Sequence, residues 1–379
     1  MDFLAMSAPP PGDSDAPGAG HAASAKRLAR GDAAQQYALP ARGPHPLPLF
    51  LELVRQAAGN DRGRRQRILA AVARYQAAPP ASAPSPPPRL VAAAGSARLL
   101  SFADAGPPLL LVPSLINPPD ILDLDRNRSL ARWLAGRGYA VHMIDWGRPR
   151  AEELHFDLGD YVTQRLEPLA RHLERPVLAG YCLGGTLAMA ATVRGKAGGL
   201  VTLATPWRFG GYPDERRKEV RDYWAQARRV AEGLSAVPMS LVQPAFWALD
   251  PQLPPRKFER YAVMADGSEE ARRFERMEDW ASSGAPIALP AMEEAVTGLF
   301  AEDRTGAGEW RVGGTRIRPQ DISVPWIDIA ATGDRLVPAT AAPPAPDARQ
   351  ARAGHVGMIA GSRARHEVWE PMAAWLASL

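Results

Sequence analysis

At 379 residues the chain is long enough to bury a large core, and its hydrophobic share of 46% is ordinary for a globular protein. Charge is nearly balanced, with 45 Lys and Arg against 41 Asp and Glu for a formal net charge of +4. No stretch approaches the roughly 18 apolar residues of a membrane span, and the single cysteine, Cys182, excludes an intramolecular disulfide framework. The densest basic run, Arg62-Gly63-Arg64-Arg65-Gln66-Arg67, is followed by Ile68, Leu69 and Val72 and has no interleaved aromatics. It reads as the solvated face of an amphipathic helix rather than a nucleic-acid platform. Met1–Met6 has neither the basic leader nor the apolar stretch of a signal peptide, so the expected location is cytoplasmic.

In chain order, residues 1–45 are rich in Ala, Pro, Gly, Ser and Asp and are expected to form a disordered arm. Two amphipathic helices follow in a small helical arm over 46–88, one marked by Leu49, Leu51, Leu53 and Val54, the other by Ile68, Leu69, Val72 and Tyr75. Asn60 or Asp61 is placed to cap the second, and a Pro-rich hinge, Pro79 to Pro88, closes the arm. From Arg89 onward, short apolar runs alternate with helical segments, the signature of a mainly parallel sheet with helices on both faces. The strands are expected at Leu109–Val112, Tyr139–Ile144, Val177–Gly180, Leu200–Ala204 and Trp326–Ala330. Helices are expected at Ser129–Gly136, Tyr161–Leu173, Thr186–Val193 and Val368–Leu379. Residues 207–314 break the alternation and carry Trp224, Phe246, Trp247, Phe258, Tyr261, Phe274 and Trp280. They are expected to form a cap inserted between the two parts of the core, 89–206 and 315–379, over the carboxyl ends of the strands where open α/β sheets bind ligands.

Gly180-Tyr181-Cys182-Leu183-Gly184 places the cysteine between an expected strand and an expected helix in a Gly-x-nucleophile-x-Gly pattern. That context suits a nucleophile on a tight turn, and it predicts an α/β-hydrolase fold. The helix N-terminus beside the sulfur favours a thiolate, and the Leu183 N–H points where an oxyanion would form. In this fold the acid follows a later strand and the histidine precedes the last helix. Asp334, after Trp326–Ala330, and His355, in Ala353-Gly354-His355-Val356-Gly357, occupy those places; Asp328 lies inside the strand and is the weaker acid. His355 would take a proton from Cys182 or an acceptor hydroxyl, and Asp334 would orient the imidazole. A thiol exchanging with a thioester conserves the acyl group's reactivity, so cysteine here points to acyl transfer as well as hydrolysis. Against this stands the reading of a lone cysteine as a small buried hydrophobe.

These residues resemble the polyhydroxyalkanoate synthases. Gly180–Thr186 is similar to the family's cysteine box. Val112-Pro113-Ser114-Leu115-Ile116-Asn117 with Ile121–Leu124, and Ile144-Asp145-Trp146-Gly147, resemble further segments. Gly333–Pro338 and Gly354–Gly357 look like the acid and histidine loops. Phe274–Trp280 and Gly313-Gly314 fit the short, class III-like catalytic subunits. The resemblance implies polymerisation of (R)-3-hydroxyacyl-CoA with release of CoA, the growing chain held on Cys182, and Asp334 supporting the incoming 3-hydroxyl. It implies an oxyanion hole from Leu183 N–H and a backbone N–H near Leu115 or Ile116. No cofactor or metal is expected from the residues themselves, since Gly184-Gly185-Thr186 lacks the lysine of a phosphate-binding loop and the histidines lack ligand spacing. The expected partners are a polyester granule surface, a second copy in a homodimer and a second synthase subunit. Pro118-Pro119 stands where the family usually has a lysine, and Arg208 where an acidic residue is usual. An acyl-CoA thioesterase or polyester hydrolase on the same residues is the alternative; a non-enzymatic granule-binding protein is a third reading.

Overall fold

The computed structural model describes residues 42–79, 86–195 and 197–379, all within one unit, Arg42–Leu379. The arm expected to be disordered lies outside the described residues up to position 41. Arg42 is described, and its guanidinium is bound to Asp279.

Eight strands form the main sheet: β1 (Arg89–Ala94), β2 (Ala97–Ser101), β3 (Pro108–Val112), β4 (Ala140–Asp145), β5 (Val177–Tyr181), β6 (Gly199–Leu203), β7 (Trp326–Ala331) and β8 (Asp347–Ala351). Their spatial order is β1-β2-β4-β3-β5-β6-β7-β8. β1 and β2 pair antiparallel, as do β2 and β4, and every later neighbour is parallel. With helices around this sheet, the architecture is that of an α/β-hydrolase. The central strands are buried on both faces, which is why they read as continuous apolar runs: β6 and β7 have no exposed residue. The register Leu111↔Ala179↔Val201↔Ile327 draws the carboxyl ends of β3, β5, β6 and β7 level with one another. Chain segments leaving these ends therefore meet at one edge of the sheet.

The helices that matter for the site follow from local signals. α1 (Leu47–Ala58) precedes α2 (Arg62–Ala77), whose Asp61 cap accepts the Arg64 N–H. α3 (Leu130–Ala135) is capped by Ser129. α4 (Leu183–Arg194) follows β5 directly, and ten of its 12 residues are buried. The inserted segment is built from α5 (Asp214–Glu232), α6 (Met239–Leu249), α7 (Leu253–Ala262) and α8 (Glu269–Ser282), the last capped by Ser268. α9 (Glu370–Leu376) closes the chain.

One hydrophobic core fills the space between the sheet and its helices. A second joins the helical arm to the inserted helices, packing Phe50, Val54, Ile68, Val72 and Tyr75 against Trp247, Phe258, Tyr261 and Ala271. The arm is thus bound to the insertion by shared apolar burial, a pairing that the amphipathic pattern of its helices did not specify.

Asp328 lies inside β7, 2% exposed, and accepts a hydrogen bond from Thr202 at 2.7 Å; Trp326 in turn donates to Thr202 at 3.1 Å. Burial pushes the Asp328 carboxyl up to about 7, with the Thr202 hydrogen bond and the Arg208 charge opposing. Between the ordinary value of 3.8 and about 7, the folded chain holds a proton that the unfolded chain has lost. Stability attributable to this group therefore falls as pH rises through that window and stays low above it. Asp328→Asn is expected to remove the fall and to raise stability at pH 8 by on the order of 4 kcal/mol, while leaving it nearly unchanged at pH 4. Urea unfolding of both proteins at the two pH values measures this difference.

Candidate active site

Cys182 occupies the junction of β5 and α4 with φ +54° and ψ −132°. A non-glycine residue there carries strain of about 1–3 kcal/mol. Neighbouring backbone hydrogen bonds hold it: Cys182 N–H donates to Leu203 O at 2.9 Å, and Gly185 N–H donates to Cys182 O at 2.8 Å. The turn closes only because three neighbours lack side chains. A Cβ at Gly180 would run into Gly184 and Gly185 backbone, one at Gly184 into the carbonyls of Val112 and Pro113, and one at Gly185 into Thr205. The requirement at Gly185 was not apparent from the five-residue pattern. Thr186 then fastens the start of α4 by donating to Pro206 O at 2.7 Å.

Loops beyond β7 and β8 bring in the other two residues. Asp334 Oδ2 accepts from His355 Nδ1 at 2.6 Å, and Asp334 Oδ1 accepts the N–H groups of Leu336 and Val337, both at 2.8 Å. The Asp334 side chain is 0% exposed. Both oxygens are engaged and Asp334 is absent from the walls of the cavity, so the carboxylate's direct contact is with His355 rather than with the cavity. Because Nδ1 is committed to Asp334, the ring's other nitrogen is the one left to hydrogen-bond Cys182. Burial alone would lower the His355 pKa. The Cys182 sulfur and the Asp334 carboxylate outweigh burial and raise it to about 10. A raised imidazole pKa beside the sulfur is the setting in which a histidine can favour a thiolate nucleophile.

Two tyrosines complete the frame, and sequence reasoning missed both because buried aromatics look like ordinary core. Tyr181 lies 5.1 Å from the His355 ring, centroid to centroid, and donates its hydroxyl to His355 O at 3.2 Å. Tyr212 donates to Leu336 O at 2.9 Å, steadying the loop that holds Asp334. Burial drives both phenols well above their ordinary pKa, so they act as neutral donors.

Leu183 and Ile116 both face the cavity, while Leu115 is buried away from it. Ile116 N–H is directed to the Ser114 hydroxyl at 3.2 Å. The loop carrying these residues is tied back by Trp146, whose indole N–H donates to Pro113 O at 3.0 Å. This contact gives a structural reason for the Asp145-Trp146-Gly147 segment. Among the remaining histidines, His142 is buried in β4 and His366 is exposed beside Glu370, both apart from Cys182.

The sulfur opens into a cavity of about 690 Å³, within the range of about 300–1,000 Å³ typical of small-molecule sites. Its walls are largely apolar and come mostly from the insertion: Phe209, Val242, Trp247, Trp280, Val296 and Phe300 are among them.

No family model matches the chain. The chain is 26% identical to the poly(3-hydroxyalkanoate) polymerase subunit PhaC of Haloferax mediterranei, over 71% of this chain and 58% of that protein. It is 27% identical to the subunit of the same name from Haloarcula marismortui, over 71% and 60%. The corresponding subunit of Allochromatium vinosum is 26% identical over 71% and 80%. The chain thus spans about 58–60% of the length of the first two of these relatives. Among solved structures, a hydrolase from Pseudomonas aeruginosa matches with a TM-score of 0.46 and 20% identity, covering 78% of this chain and 98% of its own. An esterase from Thermogutta terrifontis matches with a TM-score of 0.45 and 16% identity, covering 77% and 97%.

The charge pattern makes a direct prediction. Nitrogen NMR of the imidazole should find His355 doubly protonated through pH 8, titrating toward about 10. Asp334→Asn and Cys182→Ala should each lower that value, since each removes a partner that favours the imidazolium. Titration of the wild-type ring near the ordinary 6.5 would contradict the pairing.

Proposed function

We propose that the chain, a homologue of the poly(3-hydroxyalkanoate) polymerase subunits over 71% of its length, is a polyhydroxyalkanoate synthase in which Cys182, His355 and Asp334 act as a catalytic triad. The observation that carries this reading is a cysteine on a strained turn, paired with His355–Asp334 and opening into an apolar cavity. The Cys182 thiolate attacks the thioester carbonyl of an (R)-3-hydroxyacyl-CoA. The tetrahedral oxyanion is received by Leu183 N–H together with an N–H of the Leu115–Ile116 segment, that of Ile116 turning to it from the Ser114 hydroxyl. The carbon–sulfur bond to CoA breaks, and the CoA sulfur leaves with the proton held on His355. The acyl group is then a thioester on Cys182, with its activation retained.

Elongation needs an acceptor hydroxyl. His355 removes the proton from the 3-hydroxyl of a second hydroxyacyl-CoA, whose oxygen attacks the acyl-Cys182 carbonyl. An ester bond forms and the Cys182 thiolate leaves, giving an extended acyl-CoA that reloads Cys182 and releases CoA. Asp334 holds the Nδ1 proton and stabilises the imidazolium throughout. The chemistry calls for no cofactor and no metal beyond acyl-CoA as substrate.

The same reading places the protein in the cytoplasm at the surface of a polyester granule, as a homodimer working with a second synthase subunit. No helix among the described residues is long and apolar enough to cross a membrane, and the matched relatives are themselves named as subunits. A thioesterase differs only in the acceptor, water in place of the 3-hydroxyl, and the apolar cavity favours the hydroxyacyl group.

Purified protein given (R)-3-hydroxybutyryl-CoA is expected to release CoA and to form ester oligomers detectable by mass. Cys182→Ala should abolish both, and Asp334→Asn should slow release by on the order of 10²–10⁴-fold through the misheld imidazole. CoA release with free hydroxy acid as the only acyl product would overturn the synthase reading in favour of a thioesterase.

A further inference from the structure

Two tryptophans of the insertion, Trp247 in α6 and Trp280 in α8, line the cavity that holds Cys182. Each is braced from behind by the helical arm or by Arg42 just ahead of it. Trp280 donates its indole N–H to Pro118 O at 3.0 Å, tying α8 to the loop beyond β3. The residue before it, Asp279, receives the Arg42 guanidinium in a two-pronged pair, Nε to Oδ1 and Nη2 to Oδ2, both at 2.7 Å. Tyr75 of α2 also donates to Asp279, at 2.8 Å. Arg42 Nη1 reaches the carbonyls of Tyr75 and Ala78 at 2.9 and 2.6 Å, so one guanidinium joins the end of α2 to α8. Such a fork fixes orientation as well as distance, which a lysine does not.

Trp247 is held by contact instead. Phe50 of α1, fully buried, meets its ring edge-on with centroids 6.1 Å apart, and meets Phe258 at 5.2 Å. With the Gln243 amide oxygen turned toward it, Trp247 donates to Gln243 at 2.8 Å, and the Gln243 amide nitrogen donates to Ala281 O at 3.1 Å. The two halves of the roof are thereby linked to each other and to the arm.

We infer that the helical arm, together with Arg42 just ahead of it, is a selectivity element for the acyl cavity, with Arg42 and Phe50 as positioning residues that set Trp280 and Trp247 against the bound acyl chain. The inference rests on reading the cavity as the acyl site. Neither residue lines the cavity, so each acts through the tryptophan it holds. Loosening either one lets the roof relax, which weakens discrimination between short and long apolar chains without disturbing the sulfur.

Because Cys182 is the chain's single cysteine, maleimides report on the cavity without any turnover. The ratio of alkylation rates for N-hexylmaleimide over N-methylmaleimide reads the contribution of the roof. An aromatic contact of ordinary strength predicts that Arg42→Ala and Phe50→Ala each lower this ratio by about fivefold, with the N-methylmaleimide rate changed by less than about twofold. Arg42→Lys should fall between wild type and Arg42→Ala. An unchanged ratio in the folded variants, or both rates moving in parallel, overturns the inference. Should the alanine variants unfold at the assay temperature, the ratio is read on Arg42→Lys and Phe50→Leu, where no change has the same meaning. Absence of CoA release in wild type would count against the synthase reading alone, since alkylation does not depend on it.

Discussion

Cys182 sits at a positive φ between a parallel strand and a helix buried almost throughout, and that position is open only while residues 180, 184 and 185 carry no side chain. The contacts that make these glycines necessary also assemble the site. Gly184 lets α4 close on the carbonyl end of β3, which brings Leu183 beside the loop of Ser114–Ile116. Gly185 lets it close on Thr205 at the end of β6. The strain at one residue is thus set against packing on two neighbouring strands, and the sulfur is presented at the edge where β3, β5, β6 and β7 end.

From that edge the electrostatics follow. Asp334 has no oxygen to spare, since two N–H groups and His355 engage it, and it lies out of contact with the cavity. Its charge is felt through the imidazole, which is raised to about 10 despite burial. The tyrosines at 181 and 212 hold the two loops by their carbonyls, so the ring and the carboxylate keep their relative placement. The proposed acyl transfer would use this pairing, with His355 and Cys182 at the wall of an apolar cavity and Asp334 behind the ring.

Much of this was legible in the chain. The central strands are apolar on both faces and announce themselves as runs, and Cys182, Asp334 and His355 stand in the chain order that an α/β-hydrolase demands. The edges were not legible. β1 is alanine-rich, and β8 reads Asp-Ala-Arg-Gln-Ala, because a strand with an exposed face needs little apolar content. The tyrosines could not be told from core aromatics, and the bond from Trp146 to Pro113 connects segments more than thirty residues apart. The union of the helical arm with the insertion was hidden for a related reason. Amphipathic helices declare which face is buried and leave open what covers it.

The most direct test of the account is the intact mass of the protein quenched within its first turnovers of (R)-3-hydroxybutyryl-CoA. A hydroxyacyl adduct is expected in wild type, released by neutral hydroxylamine as a thioester should be, and absent from Cys182→Ala. CoA release by wild type with no adduct on Cys182, or the same adduct on the Cys182→Ala protein, would contradict it.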